Sequence, residues 1–337
     1  MMQNRYKLEV FSLQELGQRQ NQEDSIFPPV GRQTSEDRLF ILCDGMGGHE
    51  RGEVASAAVC EAMSRYVLDH CEPYGPFSDD DFAQALNTAY EALDTKDDGS
   101  SRKMGTTMTF LKFHAAGATV AHIGDSRVYQ LRPSKGEEPA RIVFKTQDHS
   151  LVNDLIKVGE LTEEEAKTFP QRNVITRAMQ PHQERRAKAD ITHLTDIRPG
   201  DYFFLCSDGM LEITEDENLL YIITNTTNSD REKLEMLRRV TAENQDNHTA
   251  LLIHVLATNA SSSDSARRNE HTGIPAVAED NCLLERICLN HVISTRVRKI
   301  LFGVLLVFCI IMMYLLATRH KSTIDNPTSD SIIVTIK

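Results

Sequence analysis

Three aspartates in this chain stand where apolar runs end or begin. Asp44 follows Leu39-Phe40-Ile41-Leu42-Cys43, Asp208 follows Phe203-Phe204-Leu205-Cys206-Ser207, and Asp246 lies just ahead of Thr249 to Leu256. A strand built on such a run delivers its carboxylate to the edge of a sheet. Carboxylates are hard oxygen ligands and suit Mg2+ or Mn2+. Around Asp44 the chain reads Cys43-Asp44-Gly45-Met46-Gly47-Gly48-His49, and glycines there let the backbone bend and approach an ion or a phosphate. Upstream, Arg19 precedes Glu23 and Asp24 in a polar, turn-like stretch. A guanidinium can fork onto phosphate oxygens. Asp125 sits in Gly124-Asp125-Ser126-Arg127, which on its own is ordinary turn chemistry.

Two divalent ions about 3.5 to 4 Å apart can share an Asp and bridge a water, which then becomes a nucleophile at phosphorus. That route needs no side-chain nucleophile. The motifs of the alternatives are missing: no Cys-x5-Arg loop, no Gly-x-Ser-x-Gly elbow and no Gly-x4-Gly-Lys-Ser/Thr loop occurs.

The elements that must hold these groups alternate in type. Residues 5 to 13 suit a first strand. Val54 to His70 carries an apolar stripe at helical spacing, and Phe82, Ala85, Leu86, Ala89, Tyr90 and Leu93 mark a second helix with Ser78 and Asp81 as its capping box. Residues 106–113, 118–123, 127–131 and 141–145 read as strands. Asp148-His149-Ser150 opens a helical stretch to Val158. Thr162 to Glu165, Thr214 with Glu217, and Ser229 with Glu232 have the pattern of further helix starts.

At 337 residues and 40% hydrophobic, the chain can bury a sizeable core, and its formal charge of −12 argues against a nucleic-acid partner. The seven cysteines are scattered, with no zinc-knuckle spacing, and read as reduced thiols of a cytosolic domain. Met1 to Val10 mixes polar and charged residues, unlike a signal peptide. Thr258 to Asp280 is Ser- and Asn-rich and reads as a linker. Ile300 to Ala317 holds 18 uncharged residues, just long enough for a membrane-spanning helix. Arg296, Arg298 and Lys299 before it favour a cytoplasmic N-terminal side.

Taken in order, Arg19 with Asn21, Glu23 and Asp24, Asp44-Gly45-Met46-Gly47-Gly48-His49, Gly105-Thr106-Thr107, Gly124-Asp125-Ser126-Arg127, Asp148-His149-Ser150, Asn173 to Arg177, Ser207-Asp208-Gly209 and Asp246-Asn247 resemble the metal-dependent protein phosphatase 2C family in its bacterial form. The resemblance covers roughly residues 8 to 256. It implies an α+β fold: a four-layer α/β/β/α sandwich of two antiparallel sheets flanked by helices, here with one C-terminal transmembrane helix added. The implied domains are 1–257 catalytic, 258–299 linker and juxtamembrane, 300–317 transmembrane and 318–337 tail. The implied chemistry is hydrolysis of phosphoserine and phosphothreonine in proteins by a metal-bridged hydroxide, with two Mg2+ or Mn2+ ions and a third, weaker one.

The resemblance also assigns roles. Asp44 bridges the two ions and the Gly45 carbonyl binds the second. Asp208 and Asp246 hold the first. Asp24 acts through metal-bound waters, and Asp125 with Asp208 forms the third site. Arg19 binds the phosphate, Asn247 supports Asp246, and residues about 148 to 180 form a mobile flap. Two departures stand out. Met46 occupies the place of the general-acid His of animal relatives, leaving His49 as the nearby candidate acid, and Gln180 replaces the Gly that usually ends the flap. The implied partners are Ser/Thr-phosphorylated proteins and a Ser/Thr kinase at the cytoplasmic face of a bacterial inner membrane. The alternative is a membrane-tethered pseudophosphatase that binds phosphoproteins without cleaving them; a hydrolase of small phosphoesters would use the same centre.

Overall fold

Among the described residues, each long apolar run is a strand whose successive side chains enter two different cores. The computed structural model describes residues 6–47, 51–99 and 104–258. In chain order the first elements are β1 (Tyr6–Glu15), β2 (Asp24–Phe27), β3 (Leu39–Met46), α1 (Arg51–His70) and α2 (Asp79–Asp94). Five strands follow: β4 (Gly105–Thr106), β5 (Met108–His114), β6 (Gly117–Ile123), β7 (Arg127–Arg132) and β8 (Arg141–Lys145). The rest are α3 (Leu151–Lys157), α4 (Glu163–Thr168), β9 (Asp190–Leu194), β10 (Tyr202–Cys206), α5 (Asp216–Thr224), α6 (Asp230–Val240) and β11 (His248–Thr258).

Two antiparallel sheets result. One has the order β1-β11-β10-β7-β8 and the other β2-β3-β5-β6-β9, with β4 paired to the end of β3. Side chains alternate across a strand, and here both faces are buried. On β3, Leu39, Ile41 and Cys43 pack with α1 and α2, while Phe40 and Leu42 face the other sheet. On β10, Phe203 and Leu205 enter that central core, while Tyr202, Phe204 and Cys206 pack with residues of α5 and α6. Three apolar cores therefore separate four layers, helices outside and sheets within, as expected. It is also why these strands read as unbroken apolar runs rather than alternating ones.

Helix ends follow local chemistry. Ser78 with Asp81, Thr162 with Glu165, and Ser229 with Glu232 each close a complete capping box. Thr214 and Glu217 do not. The helix there starts at Asp216 after Glu215, which makes no side-chain cap bond. Thr214 is buried, so it cannot turn its hydroxyl to the helix end. The run 106–113 also proves not to be one strand. It breaks at Thr107, whose N–H donates to the Asp44 carbonyl at 2.8 Å. Two short strands were not anticipated. β2 is four residues long and opens with two polar ones, and β9 is mostly exposed, so neither reads as a strand from its apolar residues. The linker and juxtamembrane segment, the run Ile300 to Ala317 and the tail lie outside the described residues. Among the described residues no helix is long and apolar enough to cross a membrane.

At the start of β10, Pro199-Gly200-Asp201 turns the chain, with Gly200 at φ +94°. Asp201 is fully buried and its two oxygens accept from Arg132 Nε at 2.7 Å and Nη2 at 2.8 Å, and from Gln130 Nε2 at 2.9 Å. Removing one member of a buried pair leaves the other charge unmatched. We expect Asp201→Ala to cost about 3–5 kcal/mol in urea unfolding, with Arg132→Ala costing at least as much, because it strands the fully buried Asp201 carboxylate whereas Arg132 on its own keeps Asp196.

Candidate metal centre

Antiparallel register decides which carboxylates meet. Asp24, the first residue of β2, lies directly opposite Asp44, near the end of β3. In the other sheet Cys206, the last residue of β10, faces Arg127 at the start of β7 and Ala250 near the start of β11. Asp208 lies two residues past the end of β10, Asp125 two before β7, and Asp246 two before β11. The ends of both sheets thus gather five aspartates: 24, 44, 125, 208 and 246. Asp208 itself opens a single 3-10 turn, Asp208–Leu211.

The backbone beneath them is packed too closely for side chains. A Cβ on Gly45 would stand 2.1 Å from the Gly52 carbonyl oxygen, and one on Gly209 would stand 2.0 Å from that of Asn247. Such contacts are open only to glycine. They seat the start of α1 on the end of β3 and the turn after β10 on the start of β11.

Hydroxyls and amides hold the acidic groups in place. Thr107 Oγ1 accepts from the Asp44 N–H at 3.0 Å and pairs with Ser126 Oγ at 2.8 Å. Thr106 Oγ1 donates to the Asp44 carbonyl at 2.9 Å. Ser207 Oγ donates to Asp24 Oδ2 at 3.0 Å. Asn247 Nδ2 donates to the Leu16 and Asn21 carbonyls, and its Oδ1 accepts from the Glu23 N–H at 2.8 Å, so it clamps the β1–β2 loop. Its own N–H donates to Asp246 Oδ1 at 2.8 Å, in keeping with the support expected of it. Thr107, Ser126 and Ser207 had no assigned part. Each stands next to or near a site carboxylate in a short motif, and that adjacency was the available signal.

The acids have little compensating charge beyond Arg19 on Asp246 and Arg127 near Asp125. Burial pushes the Asp44 carboxyl well above its ordinary range, and Asp24, Asp208 and Asp125 push it further. The Asp208 carboxyl is raised as well, by burial and by Asp246. Burial lifts Asp24 to about 7, with the Ser207 hydroxyl opposing. It lifts Asp125 to about 7 as well, with Asp208 and Asp148 adding to it. Asp24 Oδ1 and Asp125 Oδ1 are buried without a hydrogen-bond partner. Unmatched buried oxygens beside like charges are costly unless a cation completes them. An all-oxygen set of this kind fits Mg2+ or Mn2+. Among the described residues no three of these acids place oxygens within 4.8 Å of one another. A shared Asp with outlying partners suits that spread better than one closed cage.

Arg19, about half exposed, donates from Nη2 to Asp246 Oδ2 at 2.7 Å. The expected phosphate-binding cation therefore stands at the rim of the carboxylate cluster. His49, the candidate acid, lies outside the described residues. Met46 is described, and its side chain lies beside Gly105 together with Gln180.

The motifs around 124–127 and 148–150 lock together. Arg127 forks onto Asp148 with two contacts of 2.7 Å, and Ser150 caps α3. The segment expected to be mobile, from Asp148 to Gln180, carries α3 and α4, neither of which has a buried residue. It returns to the centre where Thr106 and Met179 exchange two backbone bonds of 2.9 Å.

Comparison with known proteins falls on this same region. A family model described as Protein phosphatase 2C matches residues 15–256. The chain is 36% identical over 204 residues to the serine/threonine protein phosphatase PstP of Mycobacterium tuberculosis, spanning 60% of this chain but 36% of that protein. It is 34% identical over 221 residues to the protein phosphatase PhpP of Streptococcus pneumoniae, covering 65% of this chain and 85% of that one. A crystal structure of the M. tuberculosis phosphatase superposes with a TM-score of 0.61 at 31% identity, over 74% of this chain and 98% of that one. The PstP catalytic domain in complex with two manganese ions gives 0.58 at 29% identity, over 74% and 98%.

The raised acids have a measurable consequence. A carboxyl neutral in the folded state and charged when unfolded weakens folding as pH rises from about 4 through its folded pKa. In EDTA, Asp44→Asn should melt about 5 °C above the wild type at pH 8, and the gap should narrow at pH 5. Added Mn2+ at pH 8 should reverse the order, because the wild type gains a ligand the variant lacks. Scanning calorimetry at both pH values reads all three signs.

Proposed function

Because the chain belongs to the protein phosphatase 2C family, we propose that it is a metal-dependent phosphatase of phosphoserine and phosphothreonine in proteins. The observation that carries this is the gathering of Asp44, Asp208 and Asp246 at adjoining strand ends, with the Asp44 and Asp208 carboxyls raised by desolvation and by neighbouring acids. Asp44 and the Gly45 carbonyl would hold one Mg2+ or Mn2+, Asp44 with Asp208 and Asp246 the other, and Asp125 with Asp208 a third. When bound, the ions neutralise charge on the phosphoryl group and make a water more acidic.

The chain's own residues do the rest. Asp24, buried opposite Asp44 and held by Ser207, would accept hydrogen bonds from metal-bound waters at its unpartnered oxygen. Arg19 lies close enough to Asp246 to meet a phosphate arriving at the same place, and its fork matches phosphate oxygens. The Thr106 and Thr107 hydroxyls hold the Asp44 backbone, with Ser126 bonded to Thr107, so Asp44 would meet the ions from a fixed backbone position. His49 follows the Gly-rich turn in sequence and is the group we assign as proton donor to the leaving oxygen.

The run Ile300 to Ala317, uncharged and preceded by Arg296, Arg298 and Lys299, supports a single membrane anchor with the catalytic domain on the cytoplasmic side. Tethering would raise the effective concentration of a Ser/Thr kinase and its substrates at the same membrane.

Phosphate release from a phosphothreonine peptide by the full-length chain should require Mn2+ and stop in EDTA. Asp208→Ala should lower kcat about 100-fold or more, and Arg19→Ala should raise KM more than it lowers kcat. A folded, Mn2+-loaded chain that binds the peptide without releasing phosphate would instead be a phosphoprotein-binding module. Carbonate-washed membranes should retain the full chain and lose a variant deleted for 300–317; recovery of the intact chain in the wash would refute the anchor.

A further inference from the structure

His149 lies away from the carboxylates but joins two parts of the molecule that matter to them. Its ring is buried and stacked on His122, with centroids 4.4 Å apart. The Gly124 N–H donates to Nδ1 at 3.1 Å. A backbone amide can only donate, so Nδ1 carries the lone pair and Nε2 the proton. Nε2 therefore donates to Asp190 Oδ2 at 3.2 Å. Arg177 Nη1 comes within 3.2 Å of the same nitrogen but donates to Asp190 Oδ1 at 2.8 Å.

The histidine pair with Asp190 could be mistaken for a transition-metal site, since their ligand atoms lie within 4.8 Å of one another. The hydrogen bonds exclude that. Binding through Nε2 while Nδ1 accepts from Gly124 would require an imidazolate, next to a guanidinium.

The backbone of His149 continues the connection. Its N–H donates to the Gly124 carbonyl at 2.9 Å, and its carbonyl accepts from Thr176 at 2.8 Å. Gly124, at φ +107°, lies so close to Thr107 that a Cβ would stand 2.6 Å from its Cγ2. Thr107 in turn holds the Asp44 N–H and Ser126. An unbroken series of contacts thus runs from Asp44 through Thr107, Gly124 and His149 to Asp190 and Arg177. Asp125, with its partnerless buried oxygen, is the residue directly after Gly124.

We infer that His149 is a positioning residue, which ties the base of the 148–180 segment to the turn carrying Asp125 and so sets that carboxylate's place at the metal centre. The inference rests on the proposed metal-dependent reading and deepens it. It makes the weakest ion site and the overlying segment two readouts of one imidazole.

The test uses the full-length chain with His149→Ala, His149→Asn and His149→Gln. Asn places Oδ1 where Nδ1 stands and keeps an acceptor for Gly124. Gln reaches toward Asp190 and loses that acceptor. Mn2+ binding is followed by titration calorimetry, independently of turnover. His149→Ala and His149→Gln should weaken the weakest Mn2+ site about 10-fold, and His149→Asn should largely restore it. Hydrogen exchange in residues 158–172 should quicken in Ala and Gln and return toward wild type in Asn. Equal Mn2+ isotherms for all four proteins would overturn the inference, as would rescue by Gln and not by Asn. The Asn and Gln comparison stands even if the Ala variant melts early. A wild-type chain that binds Mn2+ but releases no phosphate would refute the catalytic reading and leave the coupling decided by the isotherms.

Discussion

The gathering of five carboxylates at one end of a sandwich, faced by Arg19 at the rim and by Arg127 near Asp125, is the constraint the structure is arranged around. Nothing in a hydrophobic core favours such a cluster. It persists because each acid belongs to a strand end or a turn that the two sheets hold rigidly, and because hydroxyls and amides satisfy much of what surrounds them. The remaining unmatched oxygens, on Asp24 and Asp125, are where divalent ions would complete the count.

Rigidity is bought locally by absence of side chains and by short polar bonds. Gly45, Gly52 and Gly209 let backbone segments touch, so the start of α1 and the turn after β10 are seated directly on the strands that carry the acids. Thr106, Thr107, Ser126 and Ser207 then fix the backbone or carboxylate of Asp44 and Asp24. The same residues interrupt regular structure. Thr107 breaks the strand pairing because its N–H and its hydroxyl are both committed to Asp44. The irregularity and the site have one cause.

The segment from Asp148 to Gln180 shows the opposite character. Its helices hold no fully buried residue, and it is tied to the rest near its two ends, through Asp148 with Arg127 and His149 with Gly124, and through Arg177 with Asp190 and Met179 with Thr106. Few buried contacts make such a segment the easiest part of the fold to open. Its attachments lead straight to the residues around Asp44 and Asp125, so the least stable and the most constrained parts of the domain share a boundary. Gln180 stands at that boundary beside Met46, where family members usually have glycine.

Much of this was legible in the residues alone. The capping boxes at Ser78, Thr162 and Ser229 depend on neighbours three positions apart, and they formed as read; Thr214 failed because burial, a tertiary matter, withdrew its hydroxyl. The apolar runs around Leu39, Phe203 and Thr249 declared buried strands, and their flanking aspartates declared a hard-cation chemistry, because type and spacing are local properties. What the chain could not state by itself was register. Only pairing sets Asp24 against Asp44, or brings Asp125, Asp208 and Asp246 to the same sheet end, since contacts there join residues up to 231 positions apart, as in the Asn247 clamp on Leu16. The weak strands β2 and β9 were hidden for the same reason: their stability comes from a neighbour's hydrogen bonds, not from their own pattern. Sequence thus determined the ligand chemistry, and tertiary structure decided its geometry, because a carboxylate's identity is written at one position whereas its partners are chosen by the packing of two sheets.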